Sequence, residues 1–428
     1  MKSQIKLIRG RRIWDSRGRP TVEVDVQLES GVCGRGVAPA GASRGENEAV
    51  DLRDGGAEFG GLDVRQALSR IHGEIAQTLI GRDAMDQRGV DEALVALDGT
   101  PNRSRLGGNA MVATSMAVLR AAAAAQDLPL WRYLAAGKPV RLPLPEIQIF
   151  GGGAHAGRRV DIQDFLVMPV GADSFSHALE MVSRVYIRAG ALMAEKAPLT
   201  GVADEGGYWP NFDTNEEALG VLTKAIEGAG YGDGSVMISL DIAASEFHRD
   251  GLYRLGLEGI SYDTGDWLEL LDRWIGAYPI LSIEDPVGER DHEGMATFTR
   301  RHGARLQIIG DDYLVTSAAR VKAAQAAGAC NAVLLKPNQV GTITETYEAL
   351  QAARTKGWGT VVSARSGETE DTFISDLAAG WDAGQLKVGS FTRSERMAKW
   401  NQILRIEDVL GDKAVFAGRG ALPEGPRG

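Results

Sequence analysis

The chain has 428 residues, 44% hydrophobic and 24% charged, which is enough to bury a large core and to form two or three domains. Its formal net charge of -10 disfavours nucleic-acid and anionic-membrane partners, which reward clustered Lys and Arg, and points to a small-molecule ligand. Two cysteines far apart in sequence, Cys33 and Cys330, supply neither a disulfide framework nor a cysteine zinc site, and both are expected to be small buried apolar residues.

The opening MKSQIKLIRGRR is basic but leads into polar residues with no apolar stretch behind it, so no secretory signal is read and a cytoplasmic location is expected. Residues Lys6 to Leu28 alternate apolar and polar side chains in runs such as TVEVDVQLE, the period of half-buried antiparallel strands, and Asp15-Ser16-Arg17-Gly18 supplies a turn. From about Gly61 to Ala136 the period becomes helical, with alanine-rich stretches such as MVATSMAVLRAAAAA. The most apolar part, Met111 to Ala125, contains Arg120 and is too short to span a bilayer. An N-terminal α+β domain, residues 1–138, is expected. The proline-spaced segment PVRLPLP cannot continue a helix and marks the boundary to a second domain, residues 139–428.

In that second part, short β-rich runs alternate with amphipathic helical stretches: VMISLDIA, ILSIEDP, LQIIGDD, NAVLLKPN, GTVVSARS and QLKVGS. They recur at the spacing of βαβ units, which predicts an α/β fold with a parallel sheet, and their number favours a closed (β/α)8 TIM-like barrel. Asp241, Glu284, Asp311, Lys336, Arg365 and Lys387 each fall at or just after the C-terminal end of such a run, where barrel enzymes place their catalytic groups. Asp241, Glu284 and Asp311 would crowd three negative charges together unless a hard divalent cation such as Mg²⁺ sat among them, although each carboxylate alone reads equally as a helix cap. Lys336 ends an apolar run beside them, a setting expected to depress its pKa and suit it as a general base, with an ordinary salt-bridge lysine as the alternative. The glycine-rich GVADEGGYWPN carries Asp204 and Glu205, and Glu205 is the candidate general acid that protonates a leaving hydroxyl.

The segments ADEGGYWPN, LDIAASEF, SIEDP, GDD, LLKPNQVGT, SARSGETEDT, QLKVGS and RSERMAKWNQILRIE, with IWDSRGRPTVEV and APAGASRGENEAVDLRD near the start, resemble the signatures of the enolase family over nearly the whole chain. That superfamily is itself the standard example of a Lys or His base working with one or two magnesium ions. The resemblance implies an N-terminal α+β domain, a barrel whose first part contains an antiparallel strand, and a homodimer or homo-octamer. It implies a substrate that is a small phosphorylated carboxylate, 2-phosphoglycerate or a close analogue. By resemblance Asp241, Glu284 and Asp311 hold a first Mg²⁺, and Ser43, on a mobile loop, completes a second site when substrate binds. Lys336 matches the base, Glu205 the acid, and His155 the histidine of a closing loop. Gln163, Arg365, Ser366 and Lys387 match positions that bind the substrate's phosphate and carboxylate.

Departures from the family pattern gather at the same place. The family's SHRSGE reads Ser363-Ala364-Arg365, losing a histidine, and the acidic partner of the general acid is shortened by one methylene to Asp164. One loop gains Arg158 and Arg159, and another reads Ala40-Gly41-Ala42-Ser43-Arg44. Arg44, Arg158 and Arg159 are suited to extra phosphate or phosphonate oxygens, because guanidinium groups bind these bidentately. The expectation is therefore a specialised relative resembling carboxyphosphonoenolpyruvate synthase, which joins a nucleotide-activated phosphonate to an enolpyruvyl unit in phosphinate biosynthesis. Ordinary phosphopyruvate hydratase is the alternative. A catalytically silent binding protein would be expected to lose the metal carboxylates or the base, and this chain keeps them.

Overall fold

The computed structural model describes residues 2–425, so the first residue and the last three of the expected domain spans lie outside the described residues. The chain opens with a meander of β1 (Ile5–Trp14), β2 (Pro20–Leu28) and β3 (Cys33–Val37), paired antiparallel in that order. The Asp15 carboxylate closes the first turn by accepting the N–H groups of Arg17 and Arg19 at 2.8 and 2.9 Å. Helices α1 (Gln87–Asp98) and α2 (Gly108–Ala125) follow. Helix α2 packs on the meander so closely that a Cβ at Gly34 or Gly36 would run into its backbone at Ala117 or Ala113. Its small side chains are what allow this approach, which explains the alanine-rich reading. Cys330 is buried as expected, but Cys33 is exposed, because it starts the outer strand β3 on the solvent side of the pleat.

Eight strands then close a barrel: β4 (Leu144–Gly151), β5 (Asp164–Met168), β6 (Met237–Asp241), β7 (Ile280–Glu284), β8 (Gln307–Gly310), β9 (Ala332–Leu335), β10 (Gly359–Ser363) and β11 (Gly384–Ser390). They pair in chain order, and β11 returns to β4. Strand spacing alone reads as a parallel sheet, but β5 runs antiparallel to both β4 and β6, the antiparallel strand that the family resemblance implied for the first part of the barrel. Only a loop with one helical turn joins β4 to β5, too little chain for a crossover, so the strand must return beside its predecessor. Two helices, α3 (Phe175–Lys196) and α4 (Asn215–Gly228), cover this start. After β6 to β11 in turn come α5 (Thr264–Ala277), α6 (His292–His302), α7 (Ala318–Ala327), α8 (Ile343–Arg354), α9 (Phe373–Gly380) and α10 (Ser394–Leu410). Most begin where an oxygen-bearing side chain caps them: Ser174, Thr214, Asp263, Asp291, Ser317 and Thr342 each accept a backbone N–H of the first turn, worth about 1 kcal/mol apiece. Among the described residues no helix is long and apolar enough to cross a membrane.

The N-terminal part is clamped to the barrel by buried polar contacts. Asp91 of α1 accepts Ser115 Oγ of α2 at 2.6 Å and the Thr344 N–H at the start of α8 at 2.9 Å. Arg120 of α2 pairs with both oxygens of Asp371 at 2.7 Å. The loop after β3 is thereby carried to the barrel mouth, where Ala40 and Gly367 exchange backbone hydrogen bonds of 3.0 and 2.9 Å.

Candidate active site

The pleat of the barrel strands turns their terminal polar residues inward at one end. Lys387 of β11 places Nζ 2.8 Å from Asp241 Oδ2 and 2.7 Å from Glu284 Oε2, with Asp164 Oδ2 at 3.8 Å. Burial opposes its charge, but Asp241 and Glu284 hold its pKa well above the ordinary lysine value. Gln163 Nε2 donates to Asp241 Oδ2 at 3.2 Å. Lys336, just past β9, forms an ion pair with Asp311, whose other oxygen accepts Gln339 Nε2 at 2.9 Å. All of these groups are buried.

The expected depressed pKa of Lys336 is corrected here. Burial and the neighbouring Arg365 and Lys387 do push it down, but contact with Asp311 and the charge of Glu284 outweigh them and raise it. The three carboxylates of the expected metal set do press on one another: burial, with the charges of Asp241 and Asp311 alongside, raises the Glu284 pKa well above the carboxylate range. Lys387 sits between Asp241 and Glu284 and Lys336 pairs with Asp311, so part of that charge is compensated from within the chain.

Among the described residues, the acidic groups close enough to share an ion are His155–Asp164–Glu205 and Asp285–Asp311–Asp312, each with ligand atoms within 4.8 Å of one another. Asp285 was not singled out from sequence. Its carboxylate accepts the N–H groups of Asp311 and Asp312 at 2.9 and 2.7 Å, which fixes the turn that aims Asp311. Burial, with Asp311 alongside, raises its pKa well above the carboxylate range.

Hard-cation chemistry fits the mouth on a separate observation. Glu284 Oε1, Asp164 Oδ2 and Gln163 Oε1 are buried oxygens without a hydrogen-bond partner. Such an oxygen costs about 1–3 kcal/mol when left unsatisfied, and oxygen donors of this kind are what a hard divalent ion accepts.

The same cleft that Lys336 lines also holds the acid end. His155 Nδ1 is 2.9 Å from Asp164 Oδ1, and its Nε2 is 3.8 Å from Glu205 Oε1. Burial works against a charged imidazole, but Asp164 and Glu205 overcome it and lift the His155 pKa to about 9. Glu205 moves the other way: burial raises it, yet His155, Arg396 and the two lysines pull it below its ordinary value. A protonated imidazole facing the Glu205 carboxylate is therefore favoured at neutral pH.

The phosphate-type groups stand at the rim of the same cleft, which Ser43, Ala364, Arg365 and Ser366 help to line. Arg365 Nη1 pairs with Glu48 at 2.9 Å and Nη2 donates to the Ser43 carbonyl at 2.9 Å, so the loop after β3 closes over it. Ser366 Oγ accepts Arg17 Nη1 at 3.1 Å. Arg44, Arg158 and Arg159 are not drawn in; all three are exposed, and Arg158 pairs with Glu246 at 2.6 Å. Glu48 and Gln148, both buried, were missed in the sequence. Glu48 lies within the quoted loop motif, and Gln148 is a polar inward position of β4, readable only once that strand is placed.

Two family models match the chain: "Enolase, N-terminal domain" over residues 5–134 and "Enolase, C-terminal TIM barrel domain" over residues 139–424. The chain is similar to a protein named "Enolase" from Rubrobacter xylanophilus, with 47% identity over 422 residues that cover 98% of both chains.

Proposed function

The chain belongs to the enolase family and is an enolase-superfamily lyase, and from that premise we propose that it dehydrates 2-phosphoglycerate to phosphoenolpyruvate with bound Mg²⁺. The observation that carries the reading is the presence of two buried groups in one cleft: Lys336 among carboxylates, and a proton-bearing His155 against Glu205. Mg²⁺ held by Asp241, Glu284 and Asp311, with Ser43 completing a second site, would supply positive charge for the substrate carboxylate as it becomes an ene-diolate.

The chain's own groups do the rest. Lys387 neutralises the substrate carboxylate, while Arg365, Ser366 and Gln163 orient the phosphorylated end. Lys336, whose raised pKa would fall once a cation engaged Asp311 and Glu284, takes at Nζ as the neutral amine the proton from the carbon that bears the phosphate. That electron pair becomes the new C=C bond as the C–O bond to the neighbouring hydroxyl breaks. The departing hydroxide takes the proton shared by His155 and Glu205 and leaves as water, with Asp164 holding His155 in place. Residues 1–138 act as a capping domain over a catalytic domain of residues 139–428, in a cytoplasmic homodimer or homo-octamer. Formation of phosphoenolpyruvate from 2-phosphoglycerate, dependent on Mg²⁺, tests the reading.

A second reading has one observation in its favour. Ala364 lines the cleft beside Arg365 where the family motif has a histidine. A nucleotide-activated phosphonate, met at the rim by Arg44, Arg158 and Arg159, would suit it, as in carboxyphosphonoenolpyruvate synthase. Whole-chain similarity to an enolase supports the first reading over this one.

A further inference from the structure

We propose that Gln148 is a positioning residue for the acid end of the cleft, an inference that rests on the reading above and adds a residue to it. Gln148 faces into the barrel from β4 and is fully buried. Its Nε2 donates to Asp164 Oδ1, and its Oε1 accepts the backbone N–H of Gly207 at 2.7 Å. The two partners fix the amide's orientation, because the flipped amide would set its oxygen against the carboxylate and its NH₂ against an N–H. One side chain thus ties β5 to the turn that carries Glu205.

The consequence reaches the reacting groups. Gln148 and His155 both donate to Oδ1 of Asp164, so that carboxylate cannot rotate without losing two hydrogen bonds. Its Oδ2 is left without a hydrogen-bond partner, 3.8 Å from Lys387 Nζ. The turn approaches Gln148 so closely that a Cβ at Gly207 would lie 2.5 Å from Oε1. Gln148 therefore sets both Asp164, which holds His155, and the turn on which Glu205 sits, without itself touching the substrate.

The test is Gln148→Leu, which keeps the bulk and removes both polar bonds, read by three measurements on the full chain with Mg²⁺. Misplacement of the acid end lowers kcat for dehydration about 100-fold with KM little changed. Exchange of the proton on the phosphate-bearing carbon with solvent deuterium continues at the wild-type rate, since the Lys336 end is untouched. Backbone amide exchange over residues 203–208 becomes faster. An unchanged kcat, or exchange and dehydration falling together, overturns the proposal. Should wild type neither dehydrate nor exchange 2-phosphoglycerate, the functional reading fails, and amide exchange alone decides: unchanged protection over residues 203–208 overturns the role of Gln148. Gln148→Asn, a shorter amide unable to span both partners, gives the same readouts if the leucine variant does not fold.

Discussion

Glu48 and Arg365 form a buried ion pair between the two halves of the chain, 2.9 Å from Nη1 to Oε2, with both side chains under one-twentieth exposed. Arg365 lies just past β10 and Glu48 in the loop after β3, so the pair fastens that loop over the cleft. Removing one partner leaves a buried uncompensated charge, which costs about 3–5 kcal/mol. Glu48→Ala is therefore expected to lose stability of that order in denaturant titrations. It should also raise KM for 2-phosphoglycerate, because Arg365 is no longer held.

Lys336 is the base in this account and its loss is specific to one step. Lys336→Ala is expected to lower dehydration by about 10²–10⁴-fold, and exchange of the substrate's carbon-bound proton with solvent should fall equally. Proton exchange measured by NMR in deuterium oxide checks this; exchange that survives the substitution would assign the base elsewhere.

The raised pKa of His155 fixes the direction of a pH effect. The protonated imidazole is favoured in the folded chain, so its contribution to stability is complete below the ordinary value of 6.5 and is lost as pH rises through about 9. Activity is expected to follow the same limb, with kcat/KM falling above pH 9 as the proton destined for the leaving hydroxide disappears. In His155→Asn that alkaline limb should be absent from the pH profile.

Unpartnered oxygens at the mouth predict a metal effect on the fold itself. Mg²⁺ should raise the unfolding temperature saturably, by the equivalent of about 2.7 kcal/mol at one hundred times Kd, and a chelator should reverse it. Glu284→Gln weakens that response, as thermal shift or titration calorimetry would record.

The strand ends were legible because each apolar run stops at an ionisable residue, and the barrel converts that regularity into one mouth holding Asp241, Glu284, Lys336 and Lys387. What the pattern does not encode is which side chains pair. Nothing in the spacing says that Lys387 lies between Asp241 and Glu284, or that Asp311 reverses the expected direction of the Lys336 shift. The antiparallel β5 could not be read from periodicity, because a period of two is the same in either direction; the family resemblance implied it, and the short connection from β4 gives its physical reason. Gln148 was overlooked because one amide in an apolar run reads as noise until its two partners, remote in sequence, are seen.

The most direct measurement is phosphorus NMR of the purified chain with 2-phosphoglycerate and Mg²⁺, run with and without a nucleotide-activated phosphonoformate. The account predicts that phosphoenolpyruvate forms at the same rate in both, and that no carboxyphosphono product appears. A carboxyphosphono product that needs the nucleotide, with no phosphoenolpyruvate formed in its absence, would contradict it and establish the second reading.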